Sequence, residues 1–556
     1  MSTYHPFCIA NDFDPGQHVL YIRLHELPDT NPDTMYTDIE TLGLKIYREI
    51  AQNFPVVSAS DEFFYFPQVQ SDNPDWTVWD RFCPELITEF AGKLSGFENE
   101  IEAITLESSP AEAGHDARLK LLKKVLCTLR EHLVFIRAWE TQPSMYLTIA
   151  CLGLTQALEQ GTEQAAKRAR TLPRFLDQAG HNLKNVPACF RDVGLEMIQD
   201  TRTYLVMLQE ELPVLADSLA ALDRFGEKLK TIPAHSQFHL PEEELSQVVQ
   251  QHINCGMGIS QTDEVLDYEI EGLNRVLAQE ARAMGHGTWK EAYAEILLPQ
   301  LGPDGLVGLY REEVLALGGH CRKLGLVSEG FYHANPVQVM PVPNYLSAIR
   351  AASSYSISPG HPPAGGVFHV FNAHDPDETY KDSTKEYRLL AAHETWPGHH
   401  LLDINRWSLD SPVLRAVEQP VFYEGWACFA EEMLKMTGYT SDPGDRLIGA
   451  KRRLWRAIRG KVDLGLQTGA MSMDRAAQLL TKTGMTREQA MSSARKYVLN
   501  PGYQLCYTVG LRHFLDLYQG FGSSDLAGFA QVVFKHGEIC FQDLERMLMI
   551  HKDGTG

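Results

Sequence analysis

Apolar side chains recur at spacings of three and four residues through most of the chain, which is the period of one helical face. The stretches with this pattern lie at 117–140, 195–232, 264–284, 384–436, 443–464, 473–480 and 487–498. Prolines and glycines separate many of them, and no repeat period of a solenoid is present. The pattern therefore predicts a mainly α fold.

The composition changes near residue 335, where Pro, Gly, Ser and aromatic residues become frequent. Within this region, GVFHVFN (366–372) alternates in the way that a half-buried strand does. Helical periodicity resumes at about residue 384. We therefore expect one small β-sheet in the middle of an otherwise helical protein.

The charge balance excludes several kinds of partner. The 556 residues include 50 Lys and Arg against 72 Asp and Glu, a net charge of −22, without a long basic run. Nucleic acid and anionic membrane surfaces are therefore poor partners. We find neither a secretory signal nor an apolar run of about 18 residues. The ten cysteines are scattered without a C-x-x-C pair, so we expect free thiols in a cytoplasmic protein.

The candidate chemistry begins with HETWPGHH (393–400), which is the zinc motif H-E-x-x-H with two residues added. In an unbroken helix, His399 would lie off the face of His393, and His400 would lie roughly 10 Å further along the axis. We expect His393 and His399 to be the ligands, with His400 as the alternate second ligand. A chance pairing among 21 histidines, or a buried hydrogen-bonded cluster, is the alternative.

A local break in the helix would bring the two histidines together. Ser383 and Glu386 form an S-x-x-E capping box, which predicts a helix that begins around Thr384. Pro397 removes a backbone donor, and Gly398 allows an unusual backbone conformation. These two residues predict a bulge that lets the next histidine occupy the place of the ordinary second ligand.

Acidic residues at later positions complete the candidate site. Asp403 follows His399 by four residues, an offset at which thermolysin-like enzymes support a zinc histidine. The helix predicted within 419–438 carries Glu424, and two imidazoles with one carboxylate leave a position open for water. Glu431, seven residues on, could orient a ligand histidine. The alternative for Glu424 is that negative charge is favoured near any helix start.

Three stretches, HETWPGHH, FYEGWACFAEE and NPGYQLCYTVG, resemble the signatures of a bacterial family, domain of unknown function 885, over roughly 340–515. That family is grouped with the zincin-like metallopeptidases of the gluzincin type, so the resemblance implies a zincin-like helical metallopeptidase with a deep cleft. Dipeptidyl peptidase III is similar in carrying an expanded H-E-x-x-x-H. The thimet oligopeptidase and carboxypeptidase Taq groups have a glutamate ligand and a further acidic residue at spacings that Glu424 and Glu431 match.

The residues and the resemblance together imply one Zn²⁺ ion held by the two histidines and Glu424, and hydrolysis of peptide bonds in short peptides. Glu394 would take a proton from the attacking water and deliver it to the leaving amine. Related peptidases place tyrosines from a late loop opposite the metal, so Tyr507, and after it Tyr503, are candidates to stabilise the oxyanion. Half-buried packing is the alternative for both tyrosines.

Two glycines are candidates for substrate binding. Zincins commonly offer an edge strand before the metal helix, and PAGGVFHVFN (363–372) has that position. Gly365 and Gly366 would allow an extended substrate to approach the strand closely. A simple turn is the alternative.

An arginine cluster is the other candidate for substrate binding. AKRRLWRAIRGK (450–461) places Arg452, Arg456 and Arg459 on one helical face. We choose Arg456 as a candidate to bind a substrate carboxylate bidentately, which would make the enzyme a carboxypeptidase or dipeptidase. Ion pairs with the acidic surroundings are the alternative.

The expected organisation places a helix-rich region (1–270) along one wall of the cleft and the catalytic region at 271–556, unless the chain forms one continuous body. Two other functions stay open. One is a zinc hydrolase of non-peptide amides or esters, and the other is a non-catalytic helical binding protein with a vestigial metal site. The presence of Glu394 beside all three candidate ligands weighs against the second. The sequence indicates neither the cleaved bond nor the oligomeric state.

Overall fold

The computed structural model describes residues 39–554, except 61, 64, 70–74, 108–112, 344–345, 347–352, 358–362, 364 and 372–377. Helices dominate the described residues, so the mainly α prediction is confirmed. None of these helices is both long enough and apolar enough to cross a bilayer. The nine cysteines among the described residues are all free thiols.

The first helices surround an apolar core. They are Ile39–Asn53 (α1), Pro84–Glu107 (α2), Ala113–Arg130 (α3), Ala138–Thr141 (α4), Pro143–Glu159 (α5), Thr162–Asn182 (α6), Ala188–Leu208 (α7) and Ala216–Thr231 (α8). The stretch predicted at 195–232 is two helices, because Pro213 begins a short 3-10 turn between α7 and α8. A π-helical segment, Glu131–Ile136, follows α3.

Five helices connect this region to the sheet. They are Glu242–Gln247 (α9), Ile259–Ala283 (α10), Trp289–Glu295 (α11), Gly305–Lys323 (α12) and Glu329–Ala334 (α13). A second π-helical segment, Val248–His252, follows α9. The boundary expected at residue 270 lies within the continuous helix α10. The division into 1–270 and 271–556 stays a prediction.

The strands form two small sheets among the described residues, where the sequence predicted one. Val186–Pro187 (β1) pairs with Ala234–His235 (β2). Val337–Pro341 (β3), Ser354–Ile357 (β4) and Gly366–Val370 (β5) form a sheet in the order β3-β5-β4. Strand β5 runs parallel to β3 and antiparallel to β4, so it is the central strand. The strand predicted within 366–372 is confirmed for β5.

The remaining helices carry most of the candidate residues. They are Glu378–Lys385 (α14), Tyr387–Glu394 (α15), His399–Trp407 (α16), Pro412–Ala416 (α17), Pro420–Met436 (α18), Pro443–Gln467 (α19), Met473–Leu480 (α20), Arg487–Tyr497 (α21), Cys506–Phe521 (α22), Leu526–His536 (α23) and Phe541–Gly554 (α24). The predicted capping box is wrong. Glu386 directly precedes α15, and its two carboxylate oxygens accept hydrogen bonds from Lys451 at 2.7 Å and Arg452 at 2.8 Å instead of from the backbone.

Helix α19 lies between two apolar cores. Leu454 and Ile458 belong to the core that α1–α8 surround. Ile448 and Leu464 belong to a second core, which includes residues of α12, α15, α16, α18 and α22–α24. Because α19 contributes to both cores, its arginines at positions 452, 456 and 459 are also buried, and each needs a partner inside the protein.

Helices α18 and α22 contact each other through their backbones. A Cβ atom added to Gly425 would lie 2.6 Å from Cα of Gly510, and one added to Gly510 would lie 2.1 Å from the carbonyl oxygen of Val421. Carbon atoms in ordinary contact are about 3.5–4.0 Å apart, so the crossing requires glycine at both positions. This crossing holds the start of α18 against the start of α22.

Candidate metal centre

The helix break predicted at Pro397 and Gly398 is confirmed. Helix α15 ends at Glu394, and α16 begins at His399 after four non-helical residues. A Cβ atom on Gly398 would lie 2.0 Å from the carbonyl oxygen of His393, so only glycine fits. Trp426 of α18 donates a hydrogen bond to the carbonyl of Pro397 at 2.9 Å, which ties the break to the next helix.

The break brings His393 and His399 to one carboxylate. Nε2 of His393 lies 3.3 Å from Oε2 of Glu424, and Nε2 of His399 lies 3.6 Å from the same oxygen. All three ligand atoms lie within 4.8 Å of one another, and all three residues are buried. The structure therefore brings together the two histidines and the glutamate that the sequence analysis selected.

The electrostatics of this group favour a cation. Oε2 of Glu424 is buried and accepts no hydrogen bond from the described residues. Burial raises the pKa of Glu424, but contacts with the two histidines outweigh burial and hold the pKa well below its ordinary value. Burial lowers the pKa of His393, yet contacts with Cys428, Glu424 and Glu431 raise it well above the ordinary value. The three side chains thus stabilise positive charge between them.

Glu431 orients the first histidine, as the sequence analysis expected. Its Oε1 lies 3.1 Å from Nδ1 of His393, which leaves Nε2 directed at Glu424. Arg452 and Arg456 each donate two hydrogen bonds to the Glu431 carboxylate, at 2.6–3.1 Å. These contacts hold the pKa of Glu431 well below its ordinary value despite burial. Arg456 therefore forms the ion pair that the sequence analysis gave as the alternative, and its role in binding a substrate carboxylate stays a prediction.

Asp403 supports the second histidine indirectly. Its carboxylate accepts hydrogen bonds from Arg406 at 2.6 Å and from the hydroxyl of Tyr423 at 2.9 Å. The ring of Tyr423 stacks on His399 with 4.0 Å between ring centroids. Nδ1 of His399 is buried and has no hydrogen-bond partner among the described residues. Asp403 therefore acts on His399 through Tyr423, which it holds by a hydrogen bond and whose ring stacks on the imidazole.

His400 is not available as an alternate ligand. Its Nε2 lies 3.0 Å from the carbonyl oxygen of Asn335, and its Nδ1 lies 3.0 Å from the hydroxyl of Tyr355. A carbonyl only accepts, so Nε2 donates and Nδ1 accepts from the tyrosine. Both ring nitrogens are used, and burial lowers the pKa of His400 to about 4. His400 is a neutral residue that joins α16 to β4 and to the segment before β3.

The candidate catalytic groups lie around the same centre. The hydroxyl of Tyr503 donates to Oε1 of Glu424 at 2.9 Å, and the ring of Tyr507 lies 6.0 Å from that of Tyr503. Burial raises the pKa of Tyr507 well above its usual range, and Glu424 raises it further. Glu394 makes no hydrogen bond or ion pair with any described residue, and burial raises the pKa of its carboxyl. These groups are thus protonated tyrosines beside an uncommitted carboxyl.

Comparison with known proteins places the chain in a family. A family model described as "Bacterial protein of unknown function (DUF885)" matches residues 117–548. The chain belongs to this family. It is similar to a crystal structure of "the putative lipoprotein from Colwellia psychrerythraea", with a TM-score of 0.77 and 16% identity over 94% of this chain and 100% of that one. A "putative lipoprotein of unknown function from Shewanella oneidensis" is similar with a TM-score of 0.70 and 15% identity, over 92% and 100% of the two chains.

These two likenesses show a shared fold, and no curated protein matches the chain. The family name describes no activity, so the function of this DUF885 protein has to be argued from its own residues. The helical architecture is shared over almost the whole chain.

The expected substrate strand of this DUF885 protein is not an edge. Strand β5 pairs with β3 on one side and β4 on the other, so its backbone is already hydrogen-bonded. A Cβ atom on Gly365 would lie 2.3 Å from the carbonyl oxygen of Pro336, and one on Gly366 would lie 2.7 Å from the hydroxyl of Tyr355. The two glycines therefore allow close packing within the protein. The expected edge position of the strand is wrong, and the role of the glycines in substrate binding stays a prediction.

Asp463 was missed by sequence reasoning in this DUF885 protein. It is fully buried in α19, and its carboxylate accepts hydrogen bonds from the backbone N–H groups of Gly502 and Gln504, at 3.2 and 3.0 Å. This contact holds the turn that carries Tyr503 toward Glu424. The signal was a lone aspartate among apolar helical positions, and its partner lies about forty residues later in the sequence.

Proposed function

We propose that this protein is a zinc-dependent hydrolase that cleaves peptide bonds of short peptides, built on a zincin-like fold. The observation that supports the proposal most strongly is the convergence of His393, His399 and Glu424 on one buried point. Ligand atoms about 2.1 Å from a tetrahedral zinc ion lie about 3.4 Å from one another. The two measured separations from Glu424 are 3.3 and 3.6 Å.

The type of donor also fits zinc. Two imidazoles and one carboxylate are the ligand set of a catalytic zinc site, which keeps one position for water or substrate. The hydrogen bond between His393 and Glu431 is the second contact that such a histidine usually makes. A structural site would use four protein ligands, and the described residues provide three here.

The surrounding residues can perform the proton transfers of hydrolysis. When bound, zinc would polarise the scissile carbonyl and lower the pKa of a water molecule. Glu394 follows the first ligand and has no competing partner among the described residues, so it can take the proton from that water and pass it to the leaving amine. Tyr503 and Tyr507 both keep their hydroxyl protons. Tyr507 can donate to the oxyanion that forms, whereas Tyr503 could do so only after releasing Glu424, to which it donates.

The test combines metal analysis with a peptide panel. The wild-type protein should bind one zinc ion and cleave short peptides, and the Glu394→Gln variant should bind zinc equally but lose activity. His399→Ala should lose the zinc. Glu432→Gln is the matched control. Glu432 lies on the same helix as Glu424 and is paired with Arg453, so this variant should keep both zinc binding and activity.

Each failure has a distinct meaning. A protein that binds no zinc would exclude the metal site. Zinc binding without hydrolysis of peptides, with cleavage of amide or ester substrates, would favour the non-peptide alternative. Zinc binding with no hydrolysis of any class would favour a vestigial site in a binding protein.

The partners and the location are also part of the proposal. The net charge of −22 supports small substrates over nucleic acid as partners. Free cysteines support a cytoplasmic location, whereas the two similar structures carry the description of lipoproteins. Cell fractionation decides the point: recovery with the membranes would exclude the cytoplasm.

A further inference from the structure

Three arginines lie on the face of α19 that borders the candidate metal centre, and one of them, Arg459, has no acidic partner among the described residues. Arg452 and Arg456 are both bound to Glu431. Arg459 donates a hydrogen bond from Nε to the amide oxygen of Gln504 at 2.7 Å, and a second hydrogen bond joins it to the side chain of Tyr507. No carboxylate oxygen of the described residues lies within 4.0 Å of its guanidinium group, in contrast to the other two arginines.

Arg459 is nevertheless buried, with 8% of its surface exposed. Its guanidinium group lies 4.3 Å from the ring centroid of Trp455, 4.4 Å from that of Tyr507 and 5.5 Å from that of Tyr497. Aromatic faces stabilise a cation, but they supply no formal negative charge. A buried charge without a counter-ion is unfavourable. An anion that binds beside Arg459 would therefore stabilise its guanidinium group.

The nearest acidic residues are committed to other groups. Asp463 lies one helical turn from Arg459, and its two oxygens accept hydrogen bonds from the backbone of Gly502 and Gln504. Burial lowers the pKa of Arg459, but Tyr507 and Tyr497 raise it above its ordinary value. Glu424 also raises this pKa, by less than the tyrosines do. Glu424 thus acts on Arg459 through space and belongs to the candidate metal ligands.

Arg459 lies on the side of the centre that carries the tyrosines. Gln504, its hydrogen-bond partner, follows Tyr503, and Tyr507 covers its guanidinium group. The hydroxyl of Tyr503 is bonded to Glu424. A group bound to Arg459 would therefore lie beside the tyrosines and close to the carbonyl that the metal centre would polarise.

We infer that Arg459 binds the C-terminal carboxylate of the substrate, and that the enzyme removes residues from the C-terminus of short peptides or splits dipeptides. This inference rests on the proposed function. The planar guanidinium group can donate two parallel hydrogen bonds to a carboxylate, and the rings of Trp455 and Tyr507 hold it in a fixed orientation. A substrate lacking that charge would leave Arg459 without a counter-ion.

Binding is measured first, so that the result does not depend on turnover. The probes are N-acetyl-trialanine and its C-terminal amide, titrated calorimetrically into the zinc-free protein and into the zinc-loaded protein carrying Glu394→Gln, which would bind the acid without cleaving it. The wild-type protein should bind the free acid at least tenfold more tightly than the amide. Arg459→Gln should abolish this preference, and Arg459→Lys should keep part of it. Arg453→Gln, on the same helix but paired with Glu269 and Glu432, is the control and should keep all of it.

Three outcomes would overturn the inference. Equal binding of the acid and the amide by the wild-type protein would do so even if the Arg459 variants failed to fold. An amidated peptide with a C-terminal glutamate that bound as tightly as the free acid would assign the site to a side-chain carboxylate instead. A preference that depends on Arg459 in a protein without hydrolysis would support the carboxylate site at Arg459, but it would count against the proposed function and the exopeptidase activity. Hydrolysis of the acid and the amide at equal kcat/KM would support the proposed function and count against the inference.

Discussion

Gly425→Ala tests whether the crossing of α18 and α22 positions the candidate site. The added Cβ would lie 2.6 Å from Cα and from the carbonyl carbon of Gly510, which are backbone atoms and cannot rotate away. Contact at about 3.5–4.0 Å requires the helices to separate by about 1 Å. Tyr503 lies just before α22, and its hydroxyl is 2.9 Å from Glu424. A shift of this size would break that hydrogen bond.

The change in stability is the difference of two opposite effects. Alanine favours a helix interior over glycine by roughly 1 kcal/mol, whereas overpacking costs about 1–3 kcal/mol. We therefore expect Gly425→Ala to lower the free energy of unfolding by about 0–2 kcal/mol. The effect on activity should be larger, because a displacement of about 1 Å can cost roughly 100-fold in rate.

The assay compares this variant with Gly272→Ala in α10, where nothing lies within 4 Å of an added Cβ. The control should gain about 0.5–1 kcal/mol in urea unfolding and keep its zinc affinity and activity. If both variants gained stability equally and Gly425→Ala cleaved peptides as well as the wild type, the crossing would not determine the position of Tyr503.

Three further predictions concern other parts of the structure. Gly398→Ala should abolish zinc binding, measured by metal competition, because its Cβ would lie 2.0 Å from the carbonyl oxygen of His393 and displace the second ligand; unchanged affinity would contradict this. Glu431→Gln should weaken zinc binding by roughly 10–100-fold and lower the melting temperature, since Arg456 loses its counter-ion and Arg452 keeps only Glu386. Burial raises the pKa of Glu131, 3.6 Å from His252, from 4.5 to about 7. The folded state therefore keeps this proton after the unfolded state has lost it. The stability that this proton confers is complete below pH 4.5 and lost as the pH rises to 7, so the melting temperature of the wild type should fall over this range relative to Glu131→Gln. A constant difference between the two would exclude the protonated carboxyl.

The parts of the structure that could be predicted are local. Helical periodicity identified most helices, since the apolar face of a helix is written in consecutive residues. The break at Pro397 and Gly398 followed from the backbone limits of those two residue types, and it brings His393 and His399 together. The spacing of Glu424 and Glu431 put both on one face of α18, where the structure has them.

The errors arose where the outcome depends on distant segments. Glu386 has the spacing of a helix cap, but Lys451 and Arg452 compete for its oxygens from a helix more than sixty residues later. Whether β5 is an edge strand or a central strand depends on which strands pair with it. The alternation of apolar and polar residues within β5 carries no information about its neighbours. Arg456 and Arg459 are equivalent by periodicity, and only the position of Glu431 separates the paired arginine from the unpaired one.

The ion pairs of Glu431 also bear on biosynthesis. Arg456 lies 63 residues after His393, so the histidines and Glu424 leave the ribosome well before the arginines that hold Glu431 in its charged form. Until α19 is made and docked, no group is present to keep that carboxylate directed at the imidazole. We expect metal uptake to follow completion of the chain, and a truncated product that ends before α19 to capture zinc poorly although it contains every ligand.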